Sequence, residues 1–219
     1  MKRSDYFALL FVAAVLIIFI IPSSRLAYNQ AYAAMPVILS FVKFAVLATF
    51  GEMLILRLFR GRYNQPGFGL FPKAMVWGVL GISLYLAFTI FYGGVSWLLF
   101  KGGEPGSNFM KLVHSFSISF FMNIFYAPVL MTAHHISDRF IANNGGKFPL
   151  SKFRLLPLLQ QIDWEKLWGF VIKKTIPLFW IPIHTITFLL PEQYRILIAA
   201  LLSIVLGLFL ATTKKASKS

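Results

Sequence analysis

The chain has 219 residues, of which 58% are hydrophobic and 13% charged, and its formal net charge is +14. Soluble domains are about half apolar and about a quarter charged, so this balance excludes an ordinary soluble enzyme and a disordered chain. There is no cysteine, which excludes disulfides, thiolate metal sites and cysteine nucleophiles.

A bilayer core takes about 20 mostly apolar residues as helix. Six stretches reach or approach that length: residues 6–21, 35–59, 74–99, 109–132, 167–190 and 193–212. The first follows Lys2-Arg3 and precedes Ala31-Tyr32-Ala33, a pattern shared with cleavable signal peptides. Its apolar run is long and the A-x-A lies well beyond it, so a retained helix is expected.

The second stretch carries Lys43 and Glu52. A charge in lipid costs at least about 2.5 kcal/mol, so each needs a partner or a wet cavity. At 1.5 Å per residue each lies about 7 Å from the midplane, and the nine-residue separation sets them on opposite sides of the helix. They cannot pair with each other. Lys43 can snorkel along its own stem. Glu52, with a shorter stem, is expected in a buried interhelical hydrogen bond or on a solute path.

In the third stretch Tyr85, Thr89, Tyr92 and Ser96 share one helical face. In the fourth, Ser115, Ser119, Asn123 and Tyr126 do the same, with His114 beside them. In the fifth, Trp180, His184, Thr187 and Pro191 fall on one line. Three such stripes can enclose a polar interior, or they can act as helix–helix glue at about 0.6 kcal/mol per hydrogen bond. Pro177 and Pro182 interrupt the fifth stretch, as a discontinuous helix at a binding site or as a fixed kink. Residues 164–174, with Trp164, Trp168 and three lysines, suit the headgroup level. The sixth stretch opens on Arg195 at its outer mouth.

Only the linker at 133–165 is long, with room for a short surface helix and none for a soluble domain. It opens on His134-His135-x-x-Asp138. The acyltransferase pattern requires Asp five positions after His, and Arg139 stands there. His134 and Asp138 at i, i+4 could hold a metal, but without further acidic partners they read as interfacial residues. No Walker loop, Gly-x-Ser-x-Gly or His-Glu-x-x-His is present. No enzymatic activity, resident metal or cofactor is expected.

Charge placement tests the six-span reading. With the amino terminus in the cytoplasm, 14 of the 21 Lys and Arg fall in inside segments and 4 in outside ones. This is a strong positive-inside bias. The basic clusters then set topology. They are split among four segments without an aromatic-interleaved patch, so nucleic acid is not an expected partner. The lipid bilayer is, and a homo-oligomer is compatible with the pattern.

Several segments look like degenerate motifs: Asn123-Ile124-Phe125-Tyr126-Ala127-Pro128-Val129-Leu130; Trp180-Ile181-Pro182; His184-x-x-Thr187-Phe188; Leu190-Pro191-Glu192-Gln193-Tyr194-Arg195; and an early Gly51-Glu52. Over about residues 31–212 the chain resembles the Mpv-seventeen / 22-kDa peroxisomal membrane protein family. It departs from that pattern at Met122, where the family has Asp, and at Thr89, where it has His; the first helix is an addition. Members of the family are organelle membrane proteins proposed to act as channels for small metabolites. The resemblance therefore implies a membrane channel or carrier.

The fold expected is an all-α, single-domain, polytopic helical bundle of six spans with both termini cytoplasmic. The function expected is passage of small, anionic or other, solutes. The alternative is a non-conducting membrane scaffold or interaction protein. Candidate solute-site residues are Lys43, Glu52, Tyr85, Thr89, Tyr92, His114, Ser119, Asn123, Tyr126, His184, Thr187 and Arg195. The short amino terminus without an Arg/Ser-rich presequence points to a bacterial inner membrane, an organelle membrane being the alternative.

Overall fold

Proline punctuates this chain. Pro22, Pro36, Pro128 and Pro182 each sit at the first or second position of a helix, where a missing N–H costs nothing and the fixed φ suits the first turn. The computed structural model describes residues 3–103 and 105–216, with side chains described for 4–18, 20–103 and 105–207. Lys2, Lys218 and the side chains of Arg3, Lys214 and Lys215, all assigned above to the inside face, lie outside the described residues, as do the side chains of 208–212 in the sixth stretch.

The chain is all-α, 84% helical and without strands among the described residues. The helices are α1 (Arg3–Ile20), α2 (Pro22–Ala34), α3 (Pro36–Arg60), α4 (Leu70–Phe100), α5 (Asn108–Phe125) and α6 (Ala127–Asn143), then the short α7 (Leu155–Leu159) and the single turn α8 (Trp164–Lys166). A π-helical segment (Leu167–Trp180) follows, then α9 (Ile181–Leu189) and α10 (Glu192–Ala216).

Six uniform spans are not what forms. Among the described residues, α3 and α4 are long and apolar enough to cross a membrane, and α1–α2 and α5–α6 raise the number to four if each bent pair is one span. The reasons are local. Pro22 turns the first stretch by 80°, so α2 leaves the direction of α1. Pro128 bends the fourth by 44° beside Tyr126. The fifth stretch changes winding, from π to α, between Trp180 and Ile181. A hydropathy sum over a window is blind to all three events.

With lipid tails as apolar as leucine, helices in a membrane associate through close packing, and small residues allow it. α3 lies between α4 and α10, while α5 packs on α9. A Cβ on Gly81 of α4 would lie 2.7 Å from the Ser40 carbonyl oxygen and 2.6 Å from Phe44 Cβ, and one on Gly78 would enter the Phe41 ring. Across the other seam, Gly51 of α3 faces Ile204 and Gly207 of α10 faces Ile55, each at 2.8 Å from the missing Cβ. The common core is built from Phe44 and Leu47 of α3, Leu84 and Phe88 of α4, Ile118 and Met122 of α5, Phe188 of α9, and Ile196 and Ala200 of α10.

The outside of the bundle is also apolar: Phe7, Ile90, Trp97, Phe109 and Leu178 are each at least two-thirds exposed. So large an exposed apolar surface is what a lipid-facing protein presents. Gly81→Val should lower the thermal unfolding midpoint in detergent, because overpacking of a closed seam costs about 1–3 kcal/mol. The same change at Gly94, where an added Cβ meets nothing within 4 Å, should leave the midpoint unmoved.

Candidate functional site

Three polar clusters lie along the bundle: one at an end rich in basic residues, one at its centre, and one at an end rich in tyrosine.

At the basic end, two glycine turns meet. Gly69 (φ +74) caps α4, and a Cβ there would lie 2.5 Å from Ile141 Cγ2 and 2.8 Å from the Gly146 carbonyl oxygen. Only glycine lets the 61–69 loop lie against the turn that follows α6. This sets the first turn of α4 beside α6 and α3. Lys73 Nζ then bonds to Asp138 Oδ1 of α6 and lies 2.6 Å from Glu52 Oε2 of α3.

One turn on, Trp77 donates its indole N–H to Glu52 Oε1 at 2.6 Å, and its ring packs on His134 at 4.3 Å. His134 Nε2 stands 3.8 Å from Asp138 Oδ2. Ligand atoms of Glu52, His134 and Asp138 lie within 4.8 Å of one another, but the Lys73 ammonium already occupies the space between the carboxylates. The cluster carries its own cation. Beside it, Asp5 of α1 receives Arg57 through two hydrogen bonds of 2.8 and 2.9 Å and Tyr63 through one of 3.1 Å. Burial, then the Asp5 carboxylate, push the Tyr63 phenol above its ordinary pKa. A cavity of about 470 Å³ opens here, with Lys73, Asp138, His135, Arg139 and Lys166 on its wall.

At the centre, Asn123 of α5 and His184 of α9 are buried and touch, Nδ2 to Nδ1, at 3.1 Å. The same amide nitrogen donates to the Ser119 carbonyl at 2.8 Å, and Ser119 Oγ donates across to the Ile181 carbonyl at 2.7 Å. With Nδ1 accepting, the imidazole proton is on Nε2. Neither His184 Nε2 nor Asn123 Oδ1 has a hydrogen-bond partner. Each unpaired buried group costs about 1–3 kcal/mol. Both residues line a cavity of about 60 Å³, which is room for about two water molecules.

At the tyrosine end, Lys43 is enclosed. Its ammonium bonds to Tyr28 Oη at 3.2 Å and sits 5.0 Å from the centre of the Tyr32 ring. Tyr32 donates to Glu192 at 2.8 Å, Tyr28 donates to the Gln193 carbonyl, and the Tyr28 and Tyr194 rings stack at 5.8 Å. Arg195 spends two nitrogens on the carbonyls of Leu190 and Phe188, at 3.0 and 3.3 Å. These are carbonyls left open where the chain breaks at Pro191. Its guanidinium lies 4.8 Å from the Tyr92 ring centre. A cavity of about 220 Å³ is bounded by Tyr32, Tyr85, Thr89, Tyr92, Glu192 and Arg195, with Phe88 at its base.

The sequence-derived residues thus divide. Tyr85, Thr89, Tyr92 and Arg195 share the tyrosine-end cavity. Asn123, Tyr126 and His184 share the central one, and Ser119 buttresses it. Glu52 belongs to the basic cluster, and Lys43 stands behind Tyr32. As the helical period requires, Lys43 and Glu52 find separate partners. His114 is held by Ser96 at 2.8 Å and Thr187 by the Ile183 carbonyl at 2.9 Å; both sit in packed contacts and line none of the three cavities.

Lys73, Trp77, Asp138, Tyr28, Tyr32 and Glu192 were not among the expected site residues. The available signals were spacing: Lys73 and Trp77, and Tyr28 and Tyr32, are each four apart and so share a helix face. Compared with family models, curated proteins and solved structures, the chain has no significant match.

Removing Lys73 strands two carboxylates whose side chains are 18% and 36% exposed. Lys73→Met should destabilise the fold by about 3 kcal/mol, read as a fall in the unfolding midpoint. Glu52→Gln in the same chain should restore part of that loss, and a double-mutant cycle should give a coupling of at least about 0.5 kcal/mol. Strict additivity of the two changes would show that the pair is not coupled.

Proposed function

We propose that this chain is a membrane carrier for small solutes, closed in the state described. The observation that supports it is the series of three cavities, separated by single aromatic side chains. Trp77 lines the central cavity and bonds to Glu52, whose partner Lys73 lines the basic one. Phe88 forms the base of the tyrosine-end cavity and meets His184 of the central one edge-on at 5.5 Å. A water-filled pore would be continuous; a series of separate cavities is what alternating access can use.

The two atoms of Asn123 and His184 that no protein group bonds would give a passing solute polar partners in the otherwise apolar centre. The basic end faces the cytoplasm in this reading, in a bacterial inner membrane. The π segment with α9, together with α10, then supplies two further crossings and completes six. Likeness to the Mpv-seventeen / 22-kDa family points the same way.

Reconstituted liposomes test it with an organic acid, an organic amine, an amino acid and a sugar alcohol as tracers. At least one should enter in a saturable manner. Asn123→Leu, which replaces the central amide by an apolar side chain with the same number of heavy atoms, should cut that flux at least tenfold without loss of the folded protein. Flux no faster than in protein-free liposomes for all four tracers would favour the scaffold. Flux that rises linearly with concentration would favour a channel.

A further inference from the structure

The geometry points to the tyrosine-end cavity as a binding site for a small zwitterion with an apolar body, of the α-amino-acid type. The carrier reading is needed only to call this pocket its outer subsite; the binding stands by itself.

Two opposite charges project from one turn of α10. Glu192 and Arg195, three residues apart, both bound the cavity, and each is fixed from behind with one edge left over. Tyr32 takes one oxygen of the Glu192 carboxylate; among the described residues the other oxygen has no hydrogen bond. Arg195 directs Nε and one terminal nitrogen to the Leu190 and Phe188 carbonyls, and its second terminal nitrogen has no hydrogen bond. Charges held in place in this way bind without first losing side-chain freedom.

Between them the wall is aromatic. Tyr85 and Tyr92 rise from one face of α4 with Phe88 between them at the base. Ring faces suit both an apolar side chain and an ammonium group. The volume of about 220 Å³ is that of an amino acid.

A simple anion fits less well. Of the two cations in the tyrosine cluster, Lys43 does not reach the cavity: it is 6% exposed and lies behind the Tyr32 ring. The remaining cation, Arg195, shares the cavity with a carboxylate. An anion alone would pair with Arg195 beside a carboxylate that repels it, and an amine alone would meet the reverse conflict. A zwitterion meets both, its carboxylate on Arg195 and its ammonium on Glu192.

The test is equilibrium binding to the full chain in nanodiscs, with phenylalanine and its two single-charge halves, phenethylamine and 3-phenylpropanoate. Phenylalanine should bind at least tenfold more tightly than either half. Glu192 is exposed at the surface, so Glu192→Gln keeps the fold and the Tyr32 hydrogen bond. It should weaken phenylalanine at least tenfold while leaving 3-phenylpropanoate as tight as before or tighter. The inference is overturned if 3-phenylpropanoate binds the unaltered protein as well as phenylalanine does, if Glu192→Gln leaves phenylalanine unaffected, or if none of the three binds. Saturable flux of another tracer without phenylalanine binding would refute the site and spare the carrier; binding without any flux would do the opposite.

Discussion

The ammonium of Lys73 lies between two carboxylates that come from two other helices. α3 brings Glu52, α6 brings Asp138, and α4 brings the lysine itself. In a chain this poor in charge, an ionised group that leaves the membrane surface has few partners to choose from, and leaving it alone would cost several kcal/mol. The constraint therefore works as an alignment device. It fixes the depth of α4 relative to its neighbours, and the indole of Trp77, one turn further in, inherits its position from that match through the second oxygen of Glu52. The glycine contact between Gly69 and Gly146 makes the match sterically attainable.

From that fixed end, polarity changes character along the bundle. The basic end uses full charges in pairs. The centre uses neutral groups, an amide and an imidazole, incompletely bonded. The tyrosine end again uses charge, this time sheathed by aromatic rings that meet Lys43 and Arg195 through their faces. Each choice suits its depth: full charge is affordable near water, and neutral polar groups are tolerated in the middle at a modest cost. The aromatic residues between clusters do two things at once, forming part of a cavity wall and supplying a hydrogen bond or ring contact toward the next.

Much of this was legible in the sequence, and the limits have physical causes. The long apolar runs of α3 and α4 announce themselves, and the helical period separates Lys43 from Glu52. The stripe of Tyr85, Thr89 and Tyr92 was readable as one face and does share one cavity. The pairing of Lys73 with Asp138 was not readable, because 65 residues separate them and nothing local links them. Tyr32 fell in a segment taken for a linker, since the bend after Ile20 cannot be seen in hydropathy. The prolines at 22 and 128 were visible throughout. Read as helix starts, they would have replaced two straight spans by two bent pairs.

The π winding of residues 167–180 has a mechanical consequence. Each wide turn holds one residue more than its bonding partners would need in an α-helix, so the segment stores register. Exchanging one such turn for an α turn would rotate everything on its amino-terminal side by about 100° relative to α9, with few hydrogen bonds lost. Lys166 and Leu167, at one end of that segment, border the basic cavity, and His184 lies just beyond the other. A twist passed along this one piece of chain would thus reshape the wall of one compartment while the imidazole in the next stays where it is.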